Sequence, residues 1–243
     1  MDNTSVMEHQ TENSHETTTG LDNRKLLMWL FLGSDCMFFG SLIATYLVHQ
    51  GKSLVGPYPL DVFDIPTTSV STFVLLMSSM SMVLAYAALK RGNMKAFRIW
   101  LASTALMGAT FVGLQIYEFS SFATHHVHVD CAHIDESKMT ELELEVAKDC
   151  KPDDHHISKE VGLKPQTNLF GTTFFTLTGF HGAHVTLGII WLLSIFFLSF
   201  KKGVVTPAKD LDVDLAALYW HFVDVVWIVI FTVVYLFGVF EGF

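Results

Sequence analysis

Five long apolar runs constrain this chain more than any other feature of its sequence. They occupy residues 26–48, 69–89, 99–122, 169–200 and 215–240, and the only charged residues inside them are Asp35, Glu118 and Asp224. About 20 mostly apolar residues are enough for a helix to cross the hydrocarbon of a bilayer. Buried helices of soluble proteins can be apolar, but five runs of this length with at most one charge each are not found there. The predicted fold class is therefore all-α: a polytopic membrane bundle of five transmembrane helices. The fourth run exceeds what a span requires, which allows it to tilt or to project beyond the lipid.

The polar residues gather elsewhere. Residues 1–25 and the loop 123–167 hold 15 of the 24 acids, so the chain-wide apolar share of 51% conceals two very different kinds of sequence. The reading is a polar cytoplasmic tail at 1–25 and a membrane domain at 26–243, with an outer polar loop at 123–167. The tail lacks the apolar core of a secretory signal and has the composition of a disordered segment. Its two histidines, His9 and His15, are too far apart for a purification tag. With 24 acids against 15 basic residues the net charge is -9, and no basic stripe is present to release counterions from a nucleic acid.

Five spans place the two termini on opposite faces. The tail and the joints 90–98 and 201–214 share one side, and close to helix ends they carry Arg24, Lys25, Lys90, Arg91, Lys95, Arg98, Lys201, Lys202 and Lys209. The other side has Lys52 and five lysines scattered through the long loop. Positive charge near helix ends marks the cytoplasmic side. The N-terminus is expected inside, and the loop 123–167 and the C-terminus outside.

Ionisable groups at membrane depth are costly and need protein neighbours. At about 1.5 Å of rise per residue, Asp35, Asp224, His181 and His184 reach comparable depth, whereas Glu118 belongs to a layer nearer the outer face. His181 and His184 are spaced to share a helix face, as are His221 and Asp224. Trp220 and Trp227 lie on one stripe with Asp224. Two readings stay open for Asp35, His181, His184, His221 and Asp224: a carboxylate–imidazole relay, or a hydrogen-bonded layer that fixes helix packing. A haem between His181 or His184 and His221 is a third, but no repeated bis-histidine spacing supports it. Gly171, Gly179, Gly182 and Gly188 on the fourth run, and the serines of the second, suit close packing more than catalysis.

These residues also resemble a known family. The run Tyr219-Trp220-His221-Phe222-Val223-Asp224-Val225-Val226-Trp227 is similar to a motif of subunit III of haem–copper oxidases, of the cytochrome c oxidase type. Thr178-Gly179-Phe180-His181-Gly182-Ala183-His184-Val185 resembles the preceding helix of that subunit. Phe31-Leu32-Gly33-Ser34-Asp35-Cys36-Met37-Phe38-Phe39 resembles its membrane carboxylate segment, and Gln115 with Glu118 its Q-x-x-E element. Two departures stand out: Asp35 replaces the usual Glu, and the loop 123–167 is long for the family. With five helices the chain resembles the short form that lacks the first two of seven.

The resemblance implies a non-catalytic, multi-pass subunit of the bacterial plasma membrane that carries no haem or copper itself. Those cofactors reside in subunits I and II, its expected partners. It further implies packing against subunit I, phospholipid held in a cleft whose carboxylate face includes Asp35, and support of proton uptake during oxygen reduction. A quinol oxidase subunit or a nitric-oxide-reductase accessory protein is the nearest alternative. An ion transporter using Asp35 and Asp224 is more distant, since such proteins carry internal repeats and none is seen. A free-standing membrane cytochrome would show its own haem spectrum.

The outer loop adds His125, His126, His128, His133, His155 and His156, with Cys131, Cys150 and ten acids. Its spacing fits no familiar zinc pattern. In an oxidising compartment a Cys131–Cys150 disulfide is one expectation, a metal site or free thiols the others. Residues 137–148 fit a short amphipathic helix or a strand equally well. The acidic surface suggests docking of a basic cytochrome c or another respiratory complex.

Overall fold

The computed structural model describes residues 22–50, 52, 63–124, 127–128, 160–161, 165, 169–201 and 203–237. The helices are α1 (Asn23–His49), α2 (Ile65–Lys90), α3 (Met94–Thr124), α4 (Leu169–Leu198) and α5 (Leu211–Ile230). The last continues as a π-helical segment, Phe231–Leu236. All five are long and apolar enough to cross a membrane. A two-residue antiparallel pair, Val127–His128 with Glu160–Val161, joins the two ends of the long loop in the register Val127↔Val161. Cys131, Cys150, the other loop histidines and residues 137–148 lie outside the described residues.

Local chemistry sets the helix ends. Asp22 caps α1 by accepting from the Arg24 amide at 2.9 Å. Pro66 begins α2, where a missing amide proton costs nothing. The α2–α3 corner turns on Gly92 at φ 74°. The Gly92 amide donates to Leu89 O, and the Asn93 amide to Ala88 O, the paired bonds that close a helix on a left-handed residue. Asn93 then caps α3 through Oδ1, which accepts from the Ala96 amide. Helices α2, α3 and α5 start four to five residues before the apolar runs do. Caps and turns end a helix, and lipid thickness does not.

In the packed bundle α3 lies between α2 and α4, α1 leans on α4 and α5, and α5 also meets α2. The core is aromatic, with Phe39, Phe97, Phe111, Phe174, Trp220, Trp227 and Tyr235 all nearly inaccessible. Trp220 fills the space beside two glycines: a Cβ at Gly108 would stand 2.5 Å from its ring, and one at Gly188 3.0 Å. The end of the bundle that holds the short joints is tied by charge. Three acids around the start of α5 each meet a basic residue, Asp210 with Lys90, Asp212 with Arg24 and Asp214 with Lys25. Tyr86 also donates to Asp210, at 2.8 Å.

Candidate functional site

His181 and His184 sit one turn apart on α4 but have different neighbours. His181 is fully buried. Its Nε2–H donates to Val223 O on α5 at 3.1 Å. Its ring lies 4.8 Å from Trp227 and edge-on to Phe111 at 6.0 Å. Nδ1 finds no partner among the described residues. His184 turns to α1. Its Nδ1–H donates to Phe180 O at 2.8 Å, and Nε2 faces Asp35 Oδ2 at 3.7 Å. The Phe180 carbonyl thus fixes a proton on Nδ1 and turns Nε2 to the carboxylate, but at 3.7 Å the two do not hydrogen-bond, and Asp35 Oδ2 has no hydrogen-bond partner among the described residues. Both side chains stay partly open, at 17% and 14%.

The other predicted residues lie nearby without joining this pair. Asp224 is buried on α5 beside Ser79 of α2 and near His221, and its Oδ1 has no hydrogen-bond partner among the described residues. His221 is only half-buried. The structure therefore brings Asp35 to His184, holds His181 against the backbone at Val223, and places Asp224 toward α2. Gln115 and Glu118 form separate contacts on α3. Gln115 Nε2 donates to Thr178 O at 3.1 Å, and a Cβ at Gly182 would come within 2.9 Å of its Oε1. Glu118 Oε1 accepts from Thr68 Oγ1 at 2.7 Å.

A hydroxyl stripe on α2 completes the polar interior. Trp220 Nε1 donates to Ser78 Oγ at 3.0 Å and Trp227 Nε1 to Thr72 Oγ1 at 2.9 Å. Each hydroxyl in turn donates to its own helix, Ser78 to Leu75 O and Thr72 to Thr68 O. Two indoles seven residues apart on α5 thus meet acceptors six apart on the antiparallel α2. Sequence reading pointed to Ser78 and the two tryptophans but missed Thr68 and Thr72. The clue was present, since Thr68, Thr72 and Ser78–Ser79 recur at helical spacing.

Among the described residues no group of three or more His, Cys, Asp or Glu side chains converges into a metal-binding set. A groove of about 650 Å³ opens beside α1, lined by Arg24, Met28, Phe31, Ser34, Trp191 and Leu215 among others. It is apolar along its length, with one guanidinium.

Fold and contacts define a multi-pass membrane bundle whose buried polar groups chiefly hold its helices to one another. Residues 162–239 match the family described as Cytochrome c oxidase subunit III. The chain is 36% identical to Cytochrome c oxidase subunit 3 of Bacillus sp. (strain PS3), over 89% of this chain and 86% of that protein. It is 34% identical to Quinol oxidase subunit 3 of Bacillus subtilis (strain 168), over 96% of this chain and 92% of that one. Cytochrome bo(3) ubiquinol oxidase subunit 3 of Pseudomonas putida is 36% identical, over 87% and 84%. The chain belongs to the subunit III family of haem–copper oxidases, and with its five spans and bacterial relatives it is a multi-pass integral protein of a bacterial membrane.

Proposed function

We propose that this chain is the non-catalytic subunit III of a terminal oxidase, packing on the haem- and copper-bearing subunits and supporting oxygen reduction without ligating either cofactor. The observation that carries the reading is similarity along nearly the whole chain to subunit III proteins of cytochrome c and quinol oxidases. Interior contacts that join helix to helix are what an accessory bundle requires.

Two features suit the finer roles. A carboxylate and an imidazole that face each other at 3.7 Å and stay partly open at membrane depth suit a supporting part in proton uptake. The groove beside α1 is apolar with Arg24 at one end, which suits a phospholipid. Basic helix ends at the short joints favour a cytoplasmic N-terminus, and the acidic loop on the other face would then be open to a basic electron carrier. Relatives of both donor types are equally similar, so a quinol oxidase is the second reading.

The test is to purify the chain under mild detergent and record a reduced-minus-oxidised spectrum of what accompanies it. Haem-bearing partners in fixed stoichiometry are expected, and the haem type and donor activity then separate the two readings. A chain that purifies alone, or one that still holds iron or copper after all companions are stripped, overturns the proposal.

A further inference from the structure

The end of the bundle that carries the short joints divides into two halves by charge. Around the start of α5 the cations are engaged, since Lys90, Arg24 and Lys25 each meet an acid there. Where α3 begins and α4 ends, no acid is at hand in the chain: the sequence has none from Lys90 to Arg98 or from Ser199 to Lys209. Lys95 and Lys201 are exposed there and take part in no ion pair among the described residues.

Arg98 is held between the two helices. Its Nε donates to Ser199 Oγ at 3.1 Å and its Nη2 to Ser199 O. Ser199 is 3% exposed, and its own hydroxyl donates to Phe196 O at 2.6 Å, so this anchor is fixed. The guanidinium also lies over the Phe200 ring, 4.5 Å from its centre. Two of its five N–H groups are thus satisfied, and the other three, two of them on Nη1, have no partner among the described residues. Capping the last carbonyls of α4 accounts for the two bonds that are made. It does not account for the open edge, or for the lysines beside it. Lys95 stands one turn before Arg98 on the same face of α3, and Lys201 follows Phe200 directly.

The level of these groups matters as much as their charge. The apolar segment of α3 begins at Met94 and that of α4 ends at Leu198, so the cations stand where hydrocarbon gives way to headgroups. On the membrane side of them Ile99, Phe197 and Phe200 are 68%, 66% and 57% exposed, an apolar surface for acyl chains.

The geometry points to a binding site for one anionic phospholipid at this corner, its phosphate on the open edge of Arg98 with Lys95 and Lys201 beside it. A guanidinium already fixed in place matches phosphate oxygens in pairs, and lysines at helix ends reach to headgroup level. A zwitterionic lipid would bring a cation of its own toward the two lysines. None of these residues lines the groove beside α1, so the site is separate from it.

The experiment titrates phosphatidylglycerol into the intact complex in mild detergent and counts bound lipids by native mass spectrometry, for the wild type and for Lys95→Gln/Lys201→Gln. Arg98 stays in place, so its hold on α4 persists. A lysine near an anionic surface is worth about fivefold in affinity, so the double variant should bind one lipid roughly 25-fold more weakly. Phosphatidylcholine should not distinguish the two forms, and excess inorganic phosphate should not displace the lipid. Equal binding of phosphatidylglycerol by both forms overturns the inference. So does an equal loss with phosphatidylcholine, which makes the surface merely apolar, or displacement by free phosphate, which makes it an anion site and no lipid site. If the variant does not assemble, a density map of the wild-type complex in phosphatidylglycerol nanodiscs decides. A phosphate with an oxygen about 2.7–3.2 Å from Arg98 Nη1 is expected, and an empty corner refutes the site.

Discussion

Gly108→Ala tests the packing of the bundle most directly. The new Cβ would lie 2.5 Å from Trp220 Cη2 and 2.9 Å from Cζ2. Carbon atoms at rest stay about 3.5–4.0 Å apart, so the ring or α3 must move by about 1 Å. The ring has little freedom to do so. It is 2% exposed, its Nε1 is held by Ser78 at 3.0 Å, and its Cε3 and Cζ3 atoms lie close to Gly188. Overpacking of this kind costs about 1–3 kcal/mol, and the higher helix propensity of alanine returns about 1 kcal/mol. With so short a contact the net loss should be about 1–2 kcal/mol. Gly113→Ala is the control, because nothing lies within 4 Å of a Cβ there, and it should be neutral or slightly stabilising. Thermal melting of the purified complex, with retention of this chain as a second readout, compares the two. Adding Trp220→Phe to Gly108→Ala should recover part of the loss, since Ser78 keeps its bond to Leu75 O. If Gly108→Ala melts like Gly113→Ala, the close approach of α3 to Trp220 is not a constraint and the reasoning fails.

Thr72→Val should cost about 1–3 kcal/mol, because it leaves the buried Trp227 indole N–H unpaired; an unchanged melting temperature would show that the indole finds another acceptor. Asp35→Asn should change stability by less than about 1 kcal/mol, because a partly open pair at 3.7 Å is weak, while proton uptake measured in the intact oxidase should slow; a large loss of assembly with normal uptake would refute this division. The Lys90 ammonium beside Asp210 holds that carboxyl below the usual carboxylate range, helped by Tyr86. A depressed native pKa means the pair stabilises the fold above the ordinary carboxylate pKa and loses that contribution as pH falls through the native value. Asp210→Asn should therefore lower the melting temperature at neutral pH, more at low salt, and match the wild type in acid. An equal difference at both pH values would contradict it.

Much of this protein was legible from residue order because lipid imposes a simple rule. A chain that must bury its backbone in hydrocarbon does so in long apolar helices, so five runs sufficed to predict five spans and an all-α bundle. The few charges inside those runs were equally visible, and depth counted along the helices brought Asp35 level with His184. Which polar group meets which was a different matter. His181 and His184 share a helical spacing, but they leave α4 in directions about 60° apart, one toward α5 and Trp227 and the other toward α1. The acceptors for Trp220 and Trp227 depend on α2 lying antiparallel to α5.

Hydropathy and spacing are properties of one segment at a time, and they determined the spans and the candidate polar residues, while the family was carried by the resemblance of short local motifs. Pairing depends on the rotation and crossing of helices far apart in the chain. Those are set by side-chain volumes such as Gly108 and Gly188 against Trp220, and only the assembled bundle decides them.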